Sequence, residues 1–217
     1  MRVVFFDFGF TLWDEERAWT AWAQWLGVRT LDFFTALGSV IERGEHHHLA
    51  FNIVRPGIDI GWERQRMKEA GLSDVFRPEE LYPDVIPCLT ELRTAGYRMG
   101  VAGNHFADFA ATLGKLNLPL DFIGSSEEWG VEKPSPEFFE RIVRLTCVRA
   151  GEIAYVGDRL DNDVLPAKGA GMVSVFLRRG PWGLIHARHA QASQADIQIS
   201  SLEELPRALE NRSFHPK

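Results

Sequence analysis

The 217-residue chain has only two cysteines, Cys88 and Cys147, with neither the paired spacing of a zinc site nor the density of a disulfide-stapled domain. Both sit in apolar helical patterns, which predicts two small buried hydrophobes. No uncharged apolar run is long enough to span a bilayer, and the one that meets Asp7 in MRVVFFDFG is too short for a secretory signal. The expectation is a cytoplasmic protein with no membrane partner. Positive charge is not in excess either: 24 Lys and Arg against 30 Asp and Glu leave a net charge of −6, which argues against binding a nucleic-acid backbone. Internal repeats and low-complexity tracts are absent, and nothing sets the oligomeric state. What is present, 45% apolar and 25% charged residues, suits one folded domain plus a smaller accessory piece.

Short apolar runs rich in β-branched and aromatic residues recur at Val3 to Phe6, Met99 to Ala102, Phe122 to Gly124, Ile153 to Gly157 and Met172 to Leu177, with a weaker one at Ile197 to Ile199. Helical spacing links them: Val85, Leu89 and Leu92; Phe109, Ala110 and Leu113; Phe138, Phe139, Ile142 and Val143 after Pro136. This alternation predicts an α/β fold, a doubly wound, mainly parallel, Rossmann-like sheet with helices on both faces and ligands beyond the strands' carboxyl ends. Between Asp14 and Tyr82 the rhythm breaks. Trp19, Trp22, Trp25 and Leu26 share one helical face, Phe33, Phe34, Leu37, Val40 and Ile41 another, and a third helix runs from near Ile58 to Ala70. The expected division is a core of 1–13 and 83–217 interrupted by an all-helical domain, 14–82. Tryptophans at helical spacing read as the core of that insert rather than as a ligand cage.

The first run ends in FFDFGFTL, placing Asp7 at a strand's carboxyl end and Thr11 four residues on, with Gly9 between them where the chain can approach a ligand closely. A carboxylate there is a nucleophile, a metal ligand or the cap of a turn. The fourth run leads into AYVGDRLDNDV, where Asp158, Asp161 and Asp163 crowd within six residues. Such acids repel unless a hard cation or solvent screens them. Their spacing lacks the glycine and distal glutamate of a calcium loop, which favours magnesium, with helix capping by one of them as the plainer account. Lys133 precedes Pro134 in VEKPSPEFF at the start of a helix, where a lone lysine is commonly solvated and gains meaning only from its neighbours.

In this order and spacing the pieces resemble the haloacid dehalogenase superfamily over nearly the whole chain. Asp7 with Thr11 matches the family's first motif, VAGN ending in Asn104 its second, Lys133 of the Lys-Pro pair its third, and Gly157-Asp158 followed by Asp163 its fourth. The insert is similar to the family's small helical cap, with hinges near 14 and 82. Most members are magnesium-dependent phosphohydrolases. The resemblance therefore implies a small phosphorylated metabolite as substrate and an aspartyl-phosphate at Asp7. It also implies Mg2+ held by the Asp7 carboxylate, the Gly9 carbonyl and Asp158, with Asp163 orienting the metal's water ligands or Asp158 itself from outside. Lys133 would pair with Asp7 and the phosphoryl oxygens, and Thr11, Gly103, Asn104 and His105 would line the phosphate and substrate.

Two positions depart from the family's pattern. Its phosphatases carry a second Asp two residues after the nucleophile, as general acid and base; here that position is Gly9, and such a group is commonly worth about 10²- to 10⁴-fold. A Ser or Thr that hydrogen-bonds the phosphate is replaced by Gly103. A backbone N–H can stand in at Gly103, where a hydroxyl cannot; for the missing acid, His105 and His46 to His48 are candidate donors, because imidazole titrates near neutrality, although a polar loop is the plainer account of His46 to His48. Three functions stay open. The favoured one is a phosphatase, suited to acyl or aryl phosphates or using a borrowed acid. A catalytically impaired binder of phosphate or metabolite is the second, yet it gains nothing from Asp7 unless a metal is bound. The third is hydrolysis of the dehalogenase or phosphonatase kind. Resembling dehalogenases use no metal and do not need the Asp158 and Asp163 arrangement, and phosphonatases use a cap lysine where this insert holds only Lys68. Arg178 and Arg179 are either anion contacts or part of a turn built on Gly180-Pro181 with Trp182 packed beneath.

Overall fold

A computed structural model describes residues 2–72, 76–106 and 108–213. The chain divides into two compact units, Met1–Trp13 with Leu81–Lys217, and Asp14–Glu80. The first contains a six-stranded sheet of β1 (Val3–Phe6), β2 (Arg98–Gly103), β3 (Phe122–Ser125), β4 (Ile153–Gly157), β5 (Val173–Leu177) and β6 (Ile197–Ile199). Its order is β3-β2-β1-β4-β5-β6, and every neighbouring pair is parallel. That is the doubly wound order, whose direction of winding reverses between β1 and β4 and opens a crevice beyond their carboxyl ends. Phe6 pairs with Val101 on one side and Val156 on the other, so the residues that follow β1 and β4 emerge side by side. The amide of Asp7 extends the ladder by one bond, donating to the Val156 carbonyl at 2.8 Å.

The second unit is helical: α1 (Glu16–Trp25), α2 (Thr30–Glu42), α3 (His48–Val54) and α4 (Ile60–Glu69). Trp22, Ala23, Phe33, Phe51 and Met67 form its buried centre, with Trp19 and Trp25 packed around them. The tryptophans are thus packing residues. Helix α3 begins at the last of the three histidines, where a polar loop was expected for His46 to His48; burial of Phe51 in the tryptophan cluster holds this short helix, whose residues carry no capping signal. Glu63 on α4 is buried and accepts from Trp25 Nε1 (2.8 Å) and Arg66 Nη1 (3.1 Å), so its charge is compensated inside the unit.

The α/β unit continues through α5 (Val85–Thr94), α6 (Phe109–Gly114), α7 (Ser126–Trp129), α8 (Pro136–Thr146), α9 (Leu165–Gly169), α10 (Gly180–His186) and α11 (Leu205–Ser213). Helix α8 buries Phe138, Phe139 and Ile142 completely against Val3, Phe5, Ile153 and Tyr155 of the sheet, each such side chain contributing roughly 1.5–3 kcal/mol. Cys88 lies buried on α5, and burial pushes its thiol up to about 12. Cys147, expected to be buried, is instead exposed: it follows α8 as a left-handed cap with φ 57°, which turns its side chain off the apolar face. Leu81 and Tyr82 go with this unit, because Trp13 bridges Leu81 and Tyr82 N donates to Leu12 O at 3.0 Å. No helix among the described residues is long and apolar enough to cross a membrane.

Asp84 and Arg179 brace the loop that follows β1. Arg179 pairs with Asp84, donates from Nη1 to the Thr11 carbonyl (3.0 Å) and lies over the Tyr82 ring, while Ser201 Oγ and Leu202 N donate to Asp84 Oδ2 at 2.9 Å each. Arg178 donates to Ser200 Oγ at 2.7 Å. Gly180 and Pro181 open α10 rather than forming an isolated turn, and Trp182 is buried beside Phe10. Burial pushes the Asp84 carboxyl up, but the bonds from Arg179, Leu202 and Ser201 outweigh it and hold it below the ordinary 3.8. A carboxyl depressed by folding stabilises the protein above its unfolded value and loses that stabilisation as pH falls through its folded value. Asp84→Asn is therefore expected to cost about 3 kcal/mol in urea unfolding at neutral pH, and this deficit should narrow below the ordinary value of 3.8.

Candidate active site

Two strand ends and one loop bring the charged residues together. Asp7 follows β1 directly. Lys133 lies between α7 and α8, and Asp158 and Asp163 follow β4, Asp163 on a single π-type turn, Leu160–Val164. Lys133 Nζ donates to Asp7 Oδ1 and to Asp163 Oδ1, both at 2.6 Å, with the lysine and Asp163 side chains 2% and 1% exposed and that of Asp7 13%. Burial alone would lower the ammonium; Asp163 and Asp7 outweigh it and hold Lys133 protonated. Asp163 is pushed up to about 6 by burial, against the opposing pull of Lys133. Beneath the ammonium lies the Tyr155 ring at 5.5 Å, its hydroxyl donating to the Ala102 carbonyl at 2.7 Å.

One oxygen from each of Asp7, Asp158 and Asp163 lies within 4.8 Å of the others. Three carboxylates around one ammonium leave an excess negative charge, and an all-oxygen donor set is the chemistry that hard divalent cations prefer. Asp163 is turned away from such a role, because its Oδ1 accepts from Lys133 and its Oδ2 from the Arg159 amide at 3.1 Å. Asp7 and Asp158 are thus the carboxylates whose chemistry suits a cation. Asp161, adjacent in sequence, belongs elsewhere: it pairs with Arg159, whose guanidinium also lies over Trp182.

Two glycines shape the space. A methyl group at Gly157 would stand 2.5 Å from the Cβ and Cγ of Asp163, so only glycine lets that acid fold back on the end of β4. At Gly103, the end of β2, a Cβ would lie 2.7 Å from His105 Nε2 and 3.0 Å from Asp7 Oδ1. The His105 ring stacks on Phe109 (3.9 Å between centroids, 12° between planes) and meets Phe8 edge-on. Burial pushes its imidazole down to about 4, against the opposing influence of Asp7, and leaves it neutral near pH 7.

The remaining expected residues divide. Asn104, placed by the sequence beside the phosphate, spends its side chain on Lys133: its Nδ2 donates to the lysine carbonyl (2.9 Å) and its Oδ1 accepts from the lysine amide (2.8 Å). The pair aligns the lysine's backbone. Thr11 is fully buried, its carbonyl held by Arg179 and its hydroxyl without a hydrogen-bond partner. Gly9 lies in the turn after β1 and bridges Trp13. His46, His47 and His48 stand in the helical unit with His46 and His47 stacked at 4.3 Å. Tyr155 and Asp84, the partner of Arg179, were not singled out from sequence. Tyr155 reads there as one more apolar strand residue, and nothing local links positions 84 and 179.

A family model described as a haloacid dehalogenase-like hydrolase matches residues 1–171. The chain belongs to this family. Among curated relatives, a glyceraldehyde 3-phosphate phosphatase from Methanopyrus kandleri is 43% identical over 127 residues, covering 57% of this chain and 54% of the relative. The chain thus spans about half the length of that relative. A protein of the same name from Pyrococcus furiosus is 25% identical over 100% of this chain and 96% of its own. Among solved structures, an L-2-haloacid dehalogenase from Xanthobacter autotrophicus superposes with a TM-score of 0.72 at 19% identity, covering 97% of this chain and 98% of that one, a likeness of fold alone. Since Asp163 reaches Lys133 only by folding onto Gly157, Gly157→Ala is expected to displace it and lower stability by about 1–3 kcal/mol. Urea unfolding reads the change, and an unmoved midpoint would show that the acid tolerates the methyl group.

Proposed function

We propose that this hydrolase is a magnesium-dependent phosphatase acting on a small phosphorylated metabolite in the cytoplasm, where its free thiols Cys88 and Cys147 stay reduced. The observation that carries the reading is Lys133, whose ammonium bridges Asp7 and Asp163 inside a cluster of three carboxylates. The names of the curated phosphatase relatives support the same class of substrate.

In this reading Asp7 is the nucleophile. Its carboxylate attacks phosphorus, the ester P–O bond breaks, and the departing oxygen takes a proton from water; water then cleaves the aspartyl-phosphate and releases inorganic phosphate. Lys133 orients Asp7 and offers positive charge to the phosphoryl oxygens, where charge is carried in the transition state. Asp163 and Asn104 hold the lysine from its two ends. Asp7, Asp158 and the Gly9 carbonyl are the residues that would hold Mg2+, which supplies electrostatic stabilisation of the transferring group. Gly9 brings no acid, so esters with good leaving groups, acyl and aryl phosphates, are preferred. The helical unit, inserted in the chain between β1 and α5, acts as the cap that selects the substrate.

The excess negative charge of the cluster supports a cation-using phosphatase over metal-independent dehalogenation. A panel containing acetyl phosphate, p-nitrophenyl phosphate and glyceraldehyde 3-phosphate tests the reading. Turnover is expected with Mg2+ and not with EDTA, and Asp7→Asn should lower kcat/KM by about 10³-fold or more. Full activity in Asp7→Asn, or saturable phosphate binding with no product from any ester, would overturn it.

A further inference from the structure

Residue 103 offers no side chain to the site, yet the space beside it is filled. The His105 ring folds back from two residues downstream, so that Nε2 lies 2.7 Å from where a Cβ of residue 103 would stand, and the same point is 3.0 Å from Asp7 Oδ1. A hydroxyl-bearing side chain at 103 and this imidazole exclude one another. Stacking on Phe109 and edge contact with Phe8 fix the ring plane, and Phe8 in turn meets Phe109 edge-on at 5.3 Å. Aromatic contacts thereby aim the ring's polar edge while leaving it nothing to bond.

Nε2 itself is out of reach of solvent and has no hydrogen-bond partner. Buried ring nitrogens are ordinarily satisfied, and an exception at a cleft points to a ligand that completes it. One neighbour bears on which ligand. The Asp7 carboxylate, with Oδ1 3.0 Å from that same point, favours the tautomer carrying hydrogen on Nε2, and a neutral imidazole so protonated is a donor.

We infer that His105 Nε2–H donates a hydrogen bond to a non-bridging oxygen of the phosphoryl group at Asp7, doing from position 105 what a hydroxyl at 103 cannot do here. This rests on the reading of Asp7 as the residue that meets phosphorus.

Inorganic phosphate, with Mg2+ present, is the probe. Its addition to the wild-type protein is expected to shift the Nε2 resonance of His105 in nitrogen-15 spectra; a resonance that stays in place while phosphate binds overturns the assignment without any variant. His105→Phe keeps the stack and removes the donor, and should weaken phosphate binding and lower kcat/KM about 10- to 100-fold at an unchanged Tm. Gly103→Ser combined with His105→Ala restores a hydroxyl in the vacated space and should recover much of what His105→Ala alone loses, which a purely structural histidine would not allow. If wild-type protein binds phosphate and His105→Phe binds it equally well, only the His105 assignment falls. If wild-type protein binds no phosphate and hydrolyses no ester, the phosphatase reading fails and this inference fails with it.

Discussion

The Lys133 ammonium is the constraint around which the α/β unit's cleft is arranged. A buried lysine is costly unless its charge is met, and here it is met twice, by Asp7 from the end of β1 and by Asp163 from beyond β4. Each partner depends on the other for its own burial. The arrangement holds only if two parallel strands end level with one another, which the pairing of Phe6 with Val156 ensures. Asn104, directly after β2, then aligns the lysine's backbone through two hydrogen bonds, so three adjacent strands converge on one residue.

Around that centre the small residues do as much as the charged ones. Gly157 gives way to Asp163, and Gly103 gives way to His105. In both places a side chain from later in the chain occupies the volume that a Cβ would take. The cleft is filled by substitution of position as well as of residue type. A second brace, Asp84 with Arg179, stands away from this cluster and ties the carbonyl of Thr11 and the segment at Ser201 to the start of α5. It stabilises the loop after β1 without being part of the charged group.

Local pattern went far with the architecture and less far with the site. The strands were legible because β1, β4 and β5 are short runs buried on both faces, and parallel order followed from helices between them. The weak run at Ile197 to Ile199 has the alternation of an edge strand instead, with Gln198 exposed between the two isoleucines. Helix α3 was not legible, since its seven residues carry no cap and form only where Phe51 finds the tryptophan cluster. The exposure of Cys147 was missed because apolar spacing says nothing of the left-handed residue that ends a helix. Among the acids after β4, nearness in sequence suggested Asp158, Asp161 and Asp163 as a group. In space Asp7 takes the place of Asp161, which Arg159 draws aside.

By itself the sequence determined the α/β class, the helical insert and the order of the charged residues at the strand ends, because periodicity of burial and the spacing of motifs are local properties of the chain. Tertiary structure decided which of those residues touch. The bond between Asn104 and Lys133, the hold of Lys133 and the Arg159 amide on Asp163, and the imidazole lying over Gly103 join positions brought together by strand register and packing. No residue carries such a contact in its own pattern, since a hydrogen bond of 2.6–2.9 Å is set by the meeting of two backbones rather than by either one.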